Sequence, residues 1–506
     1  MKSNQPNDDE VKYTSALAEL LPISLEESIF YRKNRALSGD DLLYYSANLF
    51  SRLSPAHGST KALVATDDTF ALLVSLIALW CRGYAPVMPN GFLPKSIEAV
   101  GDYSYLLTDN QELVNLNLRN TQLIELENVQ ELEHFDLCVF QAKFDELLVD
   151  SRKLTITQMT SGSTGFPKSI IRSLDDLVKE AKALKDFISC KLDFVNNMIV
   201  AGTVALYHAY GLEFRFVLPL LLKMKHYCSA LEYEEQLQKI NDYSQSVYLV
   251  SSPGFLKRLH AHKLLSNPKI VLSAGGAISQ EVIDCVSYSI GAPLFEIFGS
   301  TESGVMACRF AYNLNSRWQA PLGNSFYIYS DNKNFNHILK KQGIGRLAVL
   351  SSYVDKSLLK SLCTENGLER TVFLSDDIVE LSLTGTIKLL GRQGRVLKFE
   401  DNRVSLDEIE TILGAHEWIR EAAVIAENYG HRDCIFAMLV LTPKGEQTYN
   451  SLGIGKFIIS LRASLKTSLL PICIPRRIKI VNTIPLTATG KVAYVEVKRM
   501  FVDENS

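Results

Sequence analysis

Between two short β-prone runs, Ala62-Leu63-Val64-Ala65 and Tyr84-Ala85-Pro86-Val87, lies Phe70-Ala71-Leu72-Leu73-Val74-Ser75-Leu76-Ile77-Ala78-Leu79-Trp80, eleven residues without a charge. A helix that is apolar all round must be covered on every side. Its length falls well short of the ~20 residues needed to cross a bilayer, so the segment predicts a buried core helix. With a strand on either side and Gly83 as its stop, it forms a βαβ unit. Similar alternation over residues 197–220, 247–275 and 291–299 extends the pattern to a mostly parallel sheet with helices on both faces. Ligands of such sheets sit beyond the carboxyl ends of the strands. Residues 312–390 read differently, as short alternating segments and turns such as Gly345-Arg346-Leu347-Ala348-Val349-Leu350, and predict a smaller β subdomain. From Arg392 onward a stretch of about 115 residues predicts a compact α+β domain of ordinary size.

Composition narrows the function classes. The chain has 506 residues, 47% hydrophobic and 22% charged, enough for more than one core. A net charge of −3 provides no basic field, which argues against nucleic acid as a partner. The nine cysteines are scattered and odd in number, with no Cys-x-x-Cys pair. That pattern suits a reducing cytoplasm and neither a disulfide framework nor structural zinc. His260 and His262 lack a third ligand nearby and read as surface residues. The polar, acidic start from Met1 to Glu10 lacks the apolar core of a signal peptide, and no membrane span is expected.

The densest chemistry follows the strand-like run Leu154-Thr155-Ile156-Thr157-Gln158-Met159. Thr160-Ser161-Gly162-Ser163-Thr164-Gly165-Phe166-Pro167-Lys168 gathers hydroxyls, glycines and one lysine. Glycine lets backbone N–H groups turn towards an anion, hydroxyls add donors and Lys168 adds charge, so the loop is suited to phosphate. It is not the usual P-loop, because Pro167 separates the last glycine from the lysine and no Gly-Lys-Ser/Thr opens a helix.

This loop resembles the phosphate loop of the adenylate-forming superfamily, which comprises acyl- and aryl-CoA synthetases, peptide-synthetase adenylation domains and luciferases. Further elements follow in the order of that superfamily. Phe298-Gly299-Ser300-Thr301-Glu302 resembles its aromatic-Gly-x-Thr-Glu element. There the resemblance implies adenine stacking by Phe298, α-phosphate contact by Thr301 and magnesium binding by Glu302, a carboxylate suited to a hard cation. Alone, Ser300-Thr301-Glu302 is more often a helix cap, with Ser300 or Thr301 capping and Glu302 in the first turn. Ser273-Ala274-Gly275-Gly276-Ala277, after the apolar run Ile270-Val271-Leu272, resembles the turn bordering adenine and the acyl pocket, and is otherwise a structural turn. Asp377 stands where the family binds the ribose hydroxyls, and Arg392 follows it by 392 − 377 = 15 positions, the family offset. Ala205-Leu206-Tyr207-His208-Ala209-Tyr210-Gly211 resembles the substrate-side element, where His208 would close over the acid. The alternative is a core histidine. Lys398, Arg403 and Glu408-Ile409-Glu410 match a peptide-synthetase pattern. Ile484-Pro485-Leu486-Thr487-Ala488-Thr489-Gly490-Lys491 resembles the loop of the catalytic lysine. Three positions depart from the family: Asp376 replaces a glycine, Gly394 stands at the hinge where aspartate is common, and Asp401 replaces a glycine beside the usual pantetheine tunnel.

The resemblance implies an α/β fold with a large N-terminal domain of mostly parallel sheets plus a β subdomain, and a small mobile α+β C-terminal domain. The expected division is 1–391 for ATP and acid binding and 392–506 for the lid that carries Lys491. It further implies an AMP-forming acid-thiol ligase using ATP and Mg2+. The acceptor expected from Arg403 and the acidic Glu400-Asp401 pair is an acyl carrier protein, with free CoA as the alternative. Short strings also resemble the stand-alone AMP ligases of aryl polyene-type pigment pathways. The rival reading from another class is a non-catalytic nucleotide-binding regulatory protein, motivated by the three departures.

Overall fold

A computed structural model describes residues 15–502, apart from 23, 58–59, 117–120, 127–136, 161–167, 193–196, 241, 245, 257, 260–267, 276–277, 279, 333–335, 393–395, 400–401, 430–431 and 486–491. The uncharged segment is a helix, Thr69–Arg82, between the parallel strands Lys61–Ala65 and Ala85–Met88. Asp68 caps its start by accepting the Ala71 N–H at 2.9 Å, and Gly83 ends it in the left-handed conformation. Residues Thr69 to Cys81 are all buried, as a helix apolar on every face requires.

Two predominantly parallel sheets contribute to the core that surrounds this helix. In one sheet the strands run in the order Gln122–Glu125, Tyr105–Thr108, Lys61–Ala65, Ala85–Met88, Thr155–Thr160 and Lys168–Ser173, with the last pair antiparallel. In the other, Ile199–Gly202, Val247–Ser251, Pro268–Ser273 and Leu294–Ser300 are successive parallel neighbours. Gly304–Phe310 folds back antiparallel on the last of them. The alternation read from residues 197–299 is therefore a parallel sheet, α/β as expected.

Residues 325–392 form the β subdomain, six strands from Ser325–Asn332 to Ile387–Arg392. Gly343–Leu350 pairs with both Ser325–Asn332 and Glu369–Leu381, so the sheet closes on itself. The smaller C-terminal domain is built on the strands Ile419–Tyr429, Arg432–Leu441 and Arg477–Ile480 and the helices Leu406–Gly414, Pro443–Leu465 and Tyr494–Val502. Its apolar clusters draw only on residues from Val404 onward. Among the described residues, no helix is long and apolar enough to cross a membrane.

Candidate functional site

The carboxyl ends of four strands, one in the first sheet and three in the second, carry the sequence elements singled out above. The loop 161–167 leaves Thr155–Thr160 and returns in Lys168–Ser173, with Thr160 and Lys168 as cross-strand partners at its base. The Thr160 hydroxyl donates to the Lys168 carbonyl at 3.4 Å. The 204–211 segment follows Ile199–Gly202, Gly275 follows Pro268–Ser273, and Ser300 ends Leu294–Ser300.

Ser300-Thr301-Glu302 is a hairpin turn rather than a helix cap, because Gly304–Phe310 starts two residues later and pairs antiparallel with Leu294–Ser300. Ser300 and Ser303 lock the turn reciprocally: the Ser300 N–H donates to Ser303 Oγ at 3.1 Å, and the Ser303 N–H donates to Ser300 Oγ at 3.2 Å. Gly304 has φ +61, and a Cβ there would lie 2.7 Å from the Glu180 carboxylate, so the position requires glycine. The next residue is held from both sides. Glu180 Oε1 accepts the Val305 N–H at 2.5 Å, while Tyr353 Oη donates to the Val305 carbonyl at 2.6 Å. Thr301 and Glu302 are partly exposed at the tip of this anchored turn.

The offset between Asp377 and Arg392 has a structural cause: the two are directly opposed across the antiparallel strands Glu369–Leu381 and Ile387–Arg392. Asp377 is buried and takes the Ser375 hydroxyl proton in a short hydrogen bond, while its own N–H donates to Ser375 Oγ at 3.1 Å. Asp376 faces the other way, as strand alternation demands, and pairs with Arg346 at 2.5 Å on the surface. The second negative charge is thus turned away from Asp377. Phe298 packs against Trp318, ring centroids 5.9 Å apart.

A hollow of about 100 Å³ opens between these elements, lined by His208, Gly275, Gly299, Ser300 and Thr301 together with apolar side chains. His208 stands at its wall beside Tyr207, ring centroids 4.4 Å apart, and is not a core histidine. The segment that carries it is fixed from below by Arg215, 1% exposed, whose guanidinium donates to Asp67 Oδ1 at 3.0 Å and to the Val204 carbonyl. Asp67 also accepts the Leu206 N–H at 2.7 Å. Gly211 lies so close to this segment that a Cβ would stand 2.0 Å from the Ala205 carbonyl oxygen.

Four polar residues of the hollow were not singled out from the sequence: Gln158, Arg172, Glu180 and Glu213. Arg172 and Glu180 form an ion pair at 2.5 Å with side chains 4% and 2% exposed. Burial alone would lower the Arg172 pKa, and the Glu180 carboxylate more than reverses this, holding it above its ordinary value. Glu213 sits in a π-helical turn, Leu212–Val217, an irregularity frequent at functional sites. Burial, reinforced by the nearby Glu180 carboxylate, pushes the Glu213 carboxyl well above the usual range. Two signals in the sequence mark these residues. Glu180 falls on the apolar stripe Leu177, Ala181, Leu184, Ile188 of its helix, and Glu213 interrupts the apolar run around Phe214, Phe216 and Val217.

Ser161, Gly162, Ser163, Thr164, Gly165, Gly276, Ala277, Gly394, Asp401 and Lys491 lie outside the described residues. The backbone of Arg392 is described, as is the hairpin that pairs Lys398 with Arg403. No group of three or more His, Cys, Asp or Glu among the described residues forms a cage for a metal ion. A cation at Glu302 would therefore complete its oxygen shell from phosphate and water, the manner of magnesium. A partly exposed carboxylate on the turn that also carries the Ser300 and Thr301 hydroxyls fits that hard cation.

Comparison with known proteins yields a consistent result. The family model for the AMP-binding enzyme matches residues 103–329, and that for the AMP-binding enzyme C-terminal domain matches residues 408–491. A pseudomonine synthase of Pseudomonas entomophila is 23% identical over 385 residues, covering 70% of this chain and 58% of its own length. The 2,3-dihydroxybenzoate-AMP ligase of Bacillus subtilis is 23% identical over 367 residues, 68% of this chain and 64% of its own. The chain thus spans less than two thirds of the length of either relative. An o-succinylbenzoate CoA synthetase from Bacillus subtilis, solved with a product analogue, has the same fold, with TM-score 0.74, 16% identity and coverage of 96% of this chain and 98% of that one.

Proposed function

The chain belongs to the AMP-binding enzyme family, within the adenylate-forming superfamily, and we propose that it activates a carboxylic acid with ATP and passes the acyl group to a thiol. The observation that carries this reading is convergence. His208, Gly275 and the Ser300-Thr301 turn, far apart in the chain, border one hollow at the carboxyl ends of parallel strands.

In the first half-reaction an acid carboxylate oxygen bonds to the α-phosphorus of ATP as the bond to the β-phosphate oxygen breaks, giving acyl adenylate and pyrophosphate. Both reactants are anions, so the protein's task is to align them and offset their repulsion. The roles assigned are as follows. The hydroxyls and N–H groups from Thr160 to Gly165, with Lys168, hold the leaving pyrophosphate. Thr301 and Lys491 donate to the α-phosphate, where charge grows in the transition state. Asp377 accepts the ribose hydroxyls beside Arg392, and the Ser375 hydrogen bonds fix its carboxylate for that purpose. Phe298 and the Gly275-Gly276-Ala277 turn border the adenine, and His208 closes over the acid. Magnesium bound at Glu302 would supply neutralisation of phosphate charge.

In the second half-reaction a thiol sulfur attacks the acyl carbon and AMP leaves. Rotation at Gly394 of the domain 392–506 against 1–391 exposes the adenylate to that thiol. We assign the thiol to the phosphopantetheine of an acyl carrier protein in the cytoplasm, a choice supported by Arg403 and the Glu408-Ile409-Glu410 ending. The names of the relatives favour aryl acids as the substrate class, 2,3-dihydroxybenzoate and o-succinylbenzoate being their own. Acid-dependent exchange of labelled pyrophosphate into ATP, measured over aryl, fatty and amino acids, tests the reading. Exchange with at least one class is expected. Silence with all of them, alongside measured ATP binding, would favour a nucleotide-binding regulator. Offering the adenylate both a carrier protein and CoA decides the acceptor, and preferential acylation of CoA refutes the carrier assignment.

A further inference from the structure

Buried residues that line the hollow carry polar atoms that nothing among the described residues satisfies. Both carboxyl oxygens of Glu213, 3% exposed, lack a hydrogen-bond partner among the described residues. Gln158, 1% exposed, donates its Nε2–H to the Tyr207 carbonyl at 3.1 Å. That bond fixes the amide orientation and leaves Oε1 as a second unpartnered acceptor. Native interiors rarely leave buried polar side chains unsatisfied, and a cluster of such groups facing one cavity points to a ligand that completes them.

The position of the cluster says which part of a ligand it meets. Ser300 and Thr301, on the side of the assigned phosphate groups, are partly exposed, whereas Glu213 and Gln158, which line the same hollow, are buried. The lining also includes the apolar side chains of Leu177, Val204, Phe214 and Ile297. A cavity of ~150 Å³ takes up benzene, so a hollow of about 100 Å³ has room for one ring or a short chain at most and not for a long acyl tail. The Arg172 Nη2 is paired with Glu180, while its buried Nε–H has no partner among the described residues, so the unpartnered groups of the lining are three acceptor oxygens, two of Glu213 and one of Gln158, and one donor.

We propose that Glu213, assisted by Gln158, determines specificity by accepting a hydrogen bond from a hydroxyl or amine on the far end of a small, single-ring or short-chain acid. This deepens the acid-activation reading and rests on it for the orientation of the carboxylate towards the assigned phosphate groups. An acid lacking the donor leaves the buried acceptors unsatisfied on binding and is rejected for that reason.

The experiment is calorimetric titration, without ATP, of size-matched acids: 4-hydroxybenzoate and 4-aminobenzoate against 4-methylbenzoate, and 5-hydroxypentanoate against hexanoate. In the wild type a donor-bearing acid is expected to bind roughly ten- to a hundredfold more tightly than its methyl counterpart. In Glu213→Leu that ratio should fall close to one, while Glu213→Gln, which keeps an acceptor and the shape, should retain most of it. A wild-type ratio near one, a ratio unchanged in Glu213→Leu, or no binding by any acid overturns the proposal. The hydroxyl and aromatic-amine arms, both neutral at pH 7, distinguish an O–H from an N–H donor. Pyrophosphate exchange run in parallel separates the two claims: discriminating binding with no exchange upholds the selector and defeats adenylation, whereas exchange without discrimination defeats the selector alone.

Discussion

Glu180 is the point at which three parts of the site are joined. Its carboxylate pairs with Arg172, which follows the phosphate loop, and accepts the Val305 N–H, which sets the Ser300–Gly304 turn. Replacing it with leucine strands a guanidinium that is 4% exposed, and breaking a buried pair from one side costs about 3–5 kcal/mol. Glu213 stands close enough to Arg172 to offset part of this by ionising, which favours the lower end of that range. The double variant Arg172→Leu/Glu180→Leu removes both charges and leaves chiefly the Val305 N–H unsatisfied, about 1–2 kcal/mol. The double variant should therefore be more stable than the single one by roughly 2 kcal/mol. The assay is urea unfolding followed by tryptophan fluorescence in a Trp418→Phe background. The signal then comes from Trp80 and Trp318 of the large domain, since the chain has three tryptophans. A loss below ~1 kcal/mol for Glu180→Leu, or a double variant no more stable than the single, refutes the claim that this ion pair holds the elements together.

Glu213→Leu should stabilise the ligand-free protein by about 1–3 kcal/mol by removing an unsatisfied buried carboxyl. Because the folded state raises this group's pKa, its favourable contribution is complete below its ordinary value of 4.5 and is lost as pH rises through the folded value. The stability advantage of the variant should accordingly grow with pH in urea titrations, and an advantage that shrinks contradicts the burial argument. Lys491→Ala should slow pyrophosphate exchange by roughly 10²–10³ with ATP binding retained, and near-normal exchange removes the lysine from the assigned chemistry. Asp377→Asn should raise the KM for ATP roughly tenfold or more while leaving the affinity for the acid unchanged in calorimetry. Gly211→Ala, whose methyl would collide with the Ala205 carbonyl, should displace His208 and lower both stability, by about 1–3 kcal/mol, and exchange; wild-type values for both would show that the loop yields freely.

The parts of the fold legible in the sequence are those fixed by local periodicity. The Thr69–Arg82 helix is buried on all sides, and an uncharged segment has no other stable place in water, so neither its existence nor its neighbours depended on distant contacts. The 15-residue separation of Asp377 and Arg392 is equally local, since a hairpin converts a sequence offset directly into a cross-strand pair. Ser300-Thr301-Glu302 shows the limit of such reasoning. Its residues suit a helix cap and a tight turn alike, and what selects the turn is remote: Glu180, more than a hundred positions earlier, grips Val305.

The same division separates the two ends of the candidate site. The side assigned above to the nucleotide is built from short contiguous motifs, and such segments are visible as strings. The acid side is assembled from single residues on different elements: Gln158 on a strand, Arg172 on the next, Glu180 on a helix and Glu213 on a π-turn. No string contains them together, and each looks like an isolated charge or amide in apolar surroundings. Their common property, burial without enough partners, exists only once the chain is folded. The family motifs are therefore written in contiguous residues, whereas the proposed choice of acid rests on a three-dimensional imbalance of donors and acceptors, and that imbalance is what the titration of Glu213 variants measures.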